Sequence, residues 1–147
     1  MKKLFLLLGI MLIAVSCEKD KINKDFTDNQ SLQNLSGTWV IVSYEDFGKN
    51  SVIFKSDVDS WNGLDVKLTF TADSLYGRNT TNTVYGNFTI SDRNIHIISY
   101  GGTKIMQPEW GSMFSSVVYN LESFKVNQSQ LRFFYNNGKN SITLDRN

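Results

Sequence analysis

The sequence predicts a mostly β domain: a small antiparallel, barrel-like sheet with one late α-helix. Three observations carry this expectation. Apolar and polar residues alternate with period two from Leu35 to the C-terminus. An Asn-Gly pair, Asn137-Gly138, sits between two alternating runs, which is the strongest short hairpin signal because both turn positions need positive φ. One segment, PEWGSMFSSVVYNLES, has helical spacing instead.

Taken in order, Thr38 to Tyr44 (TWVIVSY) reads as a strand buried on both faces or nearly so. Val66, Leu68 and Phe70 alternate with Lys67, Thr69 and Thr71. Val84, Gly86, Phe88 and Ile90 alternate with Tyr85, Asn87 and Thr89, and Ile95 and Ile97 continue after the turn Ser91-Asp92-Arg93-Asn94. In the late segment, Trp110, Met113, Phe114, Val117 and Leu121 share one helical face. Pro108 suits the start of that helix, and Glu109 complements the positive end of its dipole. Counting outward from Asn137-Gly138, Tyr135 faces Asn140, Phe133 faces Ile142 and Leu131 faces Leu144 on one side. Arg132 with Thr143 and Phe134 with Ser141 fall on the other. A one-residue slip would split the apolar set between faces. Phe70, Phe88, Phe133 and Leu144 are the expected core.

The N-terminus has a different character. Lys2 and Lys3 precede twelve uncharged residues, Leu4 to Val15. That run is too short to cross a membrane, which takes roughly 20 residues, and reads as a secretory signal. Ala14 and Ser16 stand just before Cys17, the one cysteine of 147 residues. This resembles a bacterial lipobox, with residues 1–16 cleaved and lipid attached to Cys17. Acylation also removes the hazard of a lone thiol in an oxidising compartment. Several acyl chains give stable anchoring, at about 0.8 kcal/mol per buried methylene. Residues 17–34 then comprise the lipidated cysteine and a polar tether without period, whose r.m.s. reach is roughly 20–25 Å. Residues 35–147 form the β domain. Glu18 after the cysteine resembles the choice made by lipoproteins sorted to the outer membrane.

Losing Lys2 and Lys3 takes the formal charge from +1 to −1. So weak a field excludes a nucleic-acid partner recognised by charge. No P-loop or dinucleotide glycine pattern is present. Asp57, Asp59 and Asn62-Gly63 fail the EF-hand spacing, because positions six and twelve hold Asn62 and Leu68. His96, the one histidine, has no nucleophile motif to serve. No cofactor, metal or catalytic set is therefore expected, and the protein is expected not to be an enzyme.

YGRNTTNTVYGNF resembles the signature of the META domain of heat-shock-type bacterial lipoproteins: Gly, four residues, Asn, three residues, Gly, one residue, aromatic. Here these are Gly77, Asn82, Gly86 and Phe88. LSGTW, LTF, TKIM followed by Glu109, SFKV and LRFFY are similar to further segments of that family, from about 35 to 145. Where many members carry a cysteine this chain has Thr81, and the second family cysteine is also missing. The resemblance implies a small β fold with a helix and no established catalytic activity. For the four signature residues, backbone needs are the expected role: close strand approach at glycine and loop fastening by asparagine.

Asp73-Ser74-Leu75 resembles an O-glycosylation site of some gut anaerobes, with Ser74 the acceptor; otherwise it is a turn before a strand. Trp61, Tyr85, Tyr100 and Phe134 fall on outer faces or loops and are candidate contact residues. The expectation is an outer-membrane lipoprotein of the cell envelope, non-enzymatic, acting through contacts with an envelope protein in envelope stability or stress. Two alternatives stay open. LSGTW also resembles the opening of lipocalins, whose barrels carry a small ligand; a hollow interior would favour that. An inhibitor of an exported hydrolase would present a protruding loop, such as 49 to 63.

Overall fold

A computed structural model describes residues 35–147. The expected signal peptide (1–16), Cys17 and the tether (17–34) lie outside the described residues. Nine strands follow in order: β1 (Gly37–Asp46), β2 (Ser51–Phe54), β3 (Val66–Phe70), β4 (Ser74–Asn79), β5 (Asn82–Ser91) and β6 (Asn94–Gly102), then β7 (Leu121–Val126), β8 (Gln130–Tyr135) and β9 (Asn140–Arg146). The helix α1 (Glu109–Val117) lies between β6 and β7.

All pairings are antiparallel, in the order β2-β1-β3-β4-β5-β6-β7-β8-β9, and β1 also pairs with β9. The sheet thus closes into a ring, and β2 flares from it, because β1 gives its first half to β3 and its second half to β2. The hairpin register of β8 and β9 is the one the Asn-Gly count requires, from Leu131↔Leu144 to Tyr135↔Asn140. Asn137 and Gly138 both have positive φ, 56° and 71°. β5 and β6 turn at Asp92-Arg93, with Ser91 opposite Asn94.

The β1 run is buried on both faces or nearly so, as expected, although its alternation is interrupted. A bulge between Ile41 and Ser43 inserts Val42, so Trp39 and Ile41 point inward before it and Tyr44 after it. Ser43 and Glu45 are thereby sent outward, opposite Thr143 and Ser141. There Arg132 Nη2 lies 3.3 Å from Glu45 Oε1, both side chains about nine-tenths buried. The helix is shorter than its apolar stripe. It ends at Val117, a 3-10 turn spans Val118–Asn120, and Leu121 opens β7 opposite Tyr135. Leu121 is buried as expected, but as the first residue of a strand.

The interior is filled by side chains. Phe70, Phe88, Phe133 and Leu144 are all at most 2% exposed. Phe133 stands 5.6 Å from Phe70 and 6.3 Å from Phe124, ring centre to ring centre, and Phe70 stands 5.7 Å from Phe88. Beneath the helix lies a second aromatic group, Tyr44 against Trp110 at 5.1 Å and Tyr100 against Phe114 at 5.8 Å. At the opposite end the Arg146 guanidinium stacks 4.2 Å from the Trp39 ring, whose Nε1 donates to the Leu35 carbonyl at 2.8 Å. The chain enters β1 at this end, away from the helix.

Phe133 touches both neighbouring rings of the lower layer, so Phe133→Ala should cost about 3–5 kcal/mol. Urea unfolding should show a lowered midpoint with an unchanged slope.

Candidate functional site

The helix end of the ring is organised by the hairpin between β4 and β5. Asn79 and Asn82 pair across it, and Thr80 takes φ +57°. Asn82 then reaches across to the connection between β6 and α1. Its Oδ1 accepts from the Ile105 N–H at 2.7 Å and from the Thr103 hydroxyl at 3.1 Å. Its Nδ2 donates to the Ile105 carbonyl and to Gln107 Oε1, each at 2.9 Å. The Thr81 hydroxyl adds a bond to the Met106 carbonyl at 3.0 Å. One buried amide therefore spends its full fastening capacity on a loop more than twenty residues away.

The rest of the signature is structural too. A Cβ at Gly77 would come within 2.1 Å of the Lys67 carbonyl, and one at Gly86 within 2.2 Å of the Ser99 carbonyl. Glycine at both positions permits close strand approach. Phe88 is in the core.

Between the latched connection, the end of β6 and α1 lies a cleft of about 510 Å³, open to solvent. Tyr100 and Val84 line it together with Asn79 and Ser115, while Ile105 and Met106 are strongly exposed beside it. Tyr100 was expected on the outer face; the structure turns it inward. The reason is a second bulge. Ile97 faces Phe88 and Ser99 faces Asn87, so Ile98 is the extra residue and the facing of every later side chain in β6 is reversed.

Tyr100 is held at both ends. The Tyr119 hydroxyl accepts from the Tyr100 N–H and donates to the Tyr100 carbonyl, both at 2.9 Å. A side chain thus replaces one strand rung where β6 and β7 diverge, since those strands pair only at Asn94↔Ser123. The Tyr100 phenol is pushed up to about 12 by burial, moderated by the nearby Ser115 and Asn79. Neither completes a hydrogen bond to it: among the described residues the hydroxyl has no partner. Asn79 Nδ2 donates to Ser115 Oγ at 2.6 Å, and Asn79 Oδ1 also lacks a partner.

The connection from β1 to β3 forms a second feature of this end. Phe47, Val52, Ile53, Phe54 and Trp61 are each between 36 and 48% exposed. The connection is nevertheless braced. Lys55 pairs with Asp65 and donates to the Gly63 carbonyl, and the Trp110 N–H donates to the Asp59 carbonyl at 3.1 Å. The carboxylates of Asp57 and Asp59 accept from the backbone N–H of Phe54 and Trp61. Among the described residues no three carboxylate, histidine or cysteine side chains gather as a metal site.

The remaining candidate residues are scattered. Tyr85 is exposed on β5 opposite Tyr76. Phe134 is half-buried on β8, with Lys125 Nζ 5.9 Å from its ring centre. Ser74 opens β4 half-buried, its hydroxyl 2.9 Å from both Thr71 Oγ1 and Asp73 Oδ1. His96 is exposed on β6.

No protein family matches the chain by sequence, and no curated protein does. Two solved structures are similar in fold. The solution structure of a protein from Burkholderia xenovorans is 18% identical with a TM-score of 0.66, covering 89% of this chain and 96% of that one. The crystal structure of a DUF4847 family protein from Bacteroides vulgatus is 19% identical with a TM-score of 0.55, covering 78% and 94%. At these identities the likeness is one of fold.

Asn82→Ala removes four hydrogen bonds and should destabilise by about 2–4 kcal/mol. Hydrogen exchange should show the Ile105 amide losing its protection first. Burial also raises the phenols of Tyr44 and Tyr135. Above pH 10 the folded state keeps protons that the unfolded chain releases. Stability should therefore be full below about pH 10 and fall as pH climbs towards 12, with delayed tyrosinate absorbance as the readout.

Proposed function

We propose that the protein is a non-enzymatic lipoprotein of the bacterial outer membrane, anchored through Cys17, that works by protein contacts made at the helix end of its ring. The observation that carries this is the exposed apolar connection from Phe47 to Trp61. Several large apolar side chains exposed along one braced connection mark an interaction surface, where single scattered ones would not. Its position fits. The chain enters β1 at Gly37, and the connection leaves β1 after Asp46, ten residues and roughly 30 Å further on. A domain tethered through its N-terminus presents this end away from the membrane.

A filled interior supports surface contact over the carriage of a small ligand within the barrel. The META resemblance is consistent with this reading, since its signature residues here serve close packing and loop fastening. An inhibitor of an exported hydrolase is a special case of the same proposal, with the connection as the inserting element.

Cys17→Ala should move the protein from the membrane to the soluble fraction; retention in membranes would sink the anchor. Replacing Phe47 and Phe54 by serine should reduce cross-linking to envelope proteins in intact cells several-fold while the melting temperature stays within a few degrees. Unchanged cross-linking would remove the connection from the proposal.

A further inference from the structure

We infer that the cleft beside Asn82 is a binding site for a neutral saccharide. This goes beyond the contact surface proposed above and uses a different part of the helix end.

The chemistry of the lining carries the inference. Among the described residues that line the cleft, Lys104 alone is charged, and it is exposed. The remainder are amides, hydroxyls, glycines and a few apolar groups. Two buried polar groups there have capacity to spare. Among the described residues the Tyr100 hydroxyl completes no hydrogen bond, although Ser115 and Asn79 stand near it, and the Asn79 amide, in a residue 1% exposed, completes one. Buried polar groups left unpaired are costly, so a ligand that supplies both donors and acceptors gains there. The volume, about 510 Å³, is that of a small-molecule site.

Other ligand classes fit worse. A phosphate or carboxylate is held best by several charge-assisted donors, and a single rim lysine is not such a set. An apolar ligand would strip water from the amides and hydroxyls without replacing it. A peptide adding to β6 needs free backbone groups at the strand edge. The Tyr119 hydroxyl already takes both the N–H and the carbonyl of Tyr100. A sugar offers hydroxyls that donate and accept, and a ring face that stacks on an aromatic. Tyr100 is the aromatic side chain that lines the cleft.

Ser112 provides the test. It lines the cleft from an exposed position on α1, and its hydroxyl makes one weak bond, to the Pro108 carbonyl at 3.3 Å, so leucine there fills part of the cleft at little cost to the fold. The full chain, solubilised in a detergent without a sugar headgroup, would be examined by saturation-transfer NMR. The probes are maltose, cellobiose, lactose and N,N′-diacetylchitobiose, with glucuronate and tri-alanine as controls. At least one neutral disaccharide should receive saturation. Ser112→Leu should abolish the transfer with a melting temperature within a few degrees of the parent. Tyr100→Phe, which keeps the ring, should weaken binding about three- to tenfold. Silence from all four disaccharides overturns the assignment. So does transfer to glucuronate or tri-alanine alone, or disaccharide transfer that survives either substitution unchanged.

Discussion

The pairing of β1 with β9 is the constraint on which the rest depends. It joins Trp39 to Arg146 and Asp46 to Asn140, residues about a hundred positions apart. Until those strands meet, the sheet has two open edges and no inside. Closing so large a loop costs entropy before any contact rewards it, so the ring stands or falls largely as one unit. Once closed, it brings the aromatic rings of β3, β5, β7 and β8 together and leaves little edge exposed.

Closure is incomplete at one place, and that place shapes the surface. β6 and β7 separate after a single pair, and α1 with its 3-10 turn fills the gap. The local repairs are all polar: the Tyr119 hydroxyl standing in for a strand, and Asn82 fastening the connection that leads into the helix. The same gap leaves Tyr100 and Asn79 buried at the back of a cleft. The apolar connection after β1 rises from the same end. The cleft and the apolar connection thus both lie opposite the point where the chain enters, and the entry end is closed by Arg146 over Trp39.

Much of the site was written in the sequence in a form that conceals its meaning. Gly77, Asn82, Gly86 and Phe88 can be picked out by spacing, and two of their roles, close approach at glycine and fastening by asparagine, can be anticipated. What Asn82 fastens cannot, because its partners at Thr103, Ile105 and Gln107 are neighbours only after β5 and β6 pair. β2 escapes notice because SVIF is four residues long and exposed throughout, so no alternation marks it. Tyr100 was misplaced because period-two counting assumes an unbroken ladder, and a single extra residue at Ile98 reverses the count.

By itself, the sequence determined what is local: the alternation that builds β3, β5, β8 and β9, the Asn-Gly turn that sets the register of β8 against β9, and the apolar stripe that starts a helix at Glu109. These follow from side-chain periodicity and backbone preference, which act within a few residues. Only the tertiary structure decided where the ladder slips and where the helix stops. The bulges at Val42 and Ile98 let twisted strands close on a ring of fixed circumference. Leu121 leaves the helix because pairing with Tyr135 buries it equally well and adds a strand to the sheet. Those choices depend on partners distant in sequence, and no short window contains both sides of the bargain.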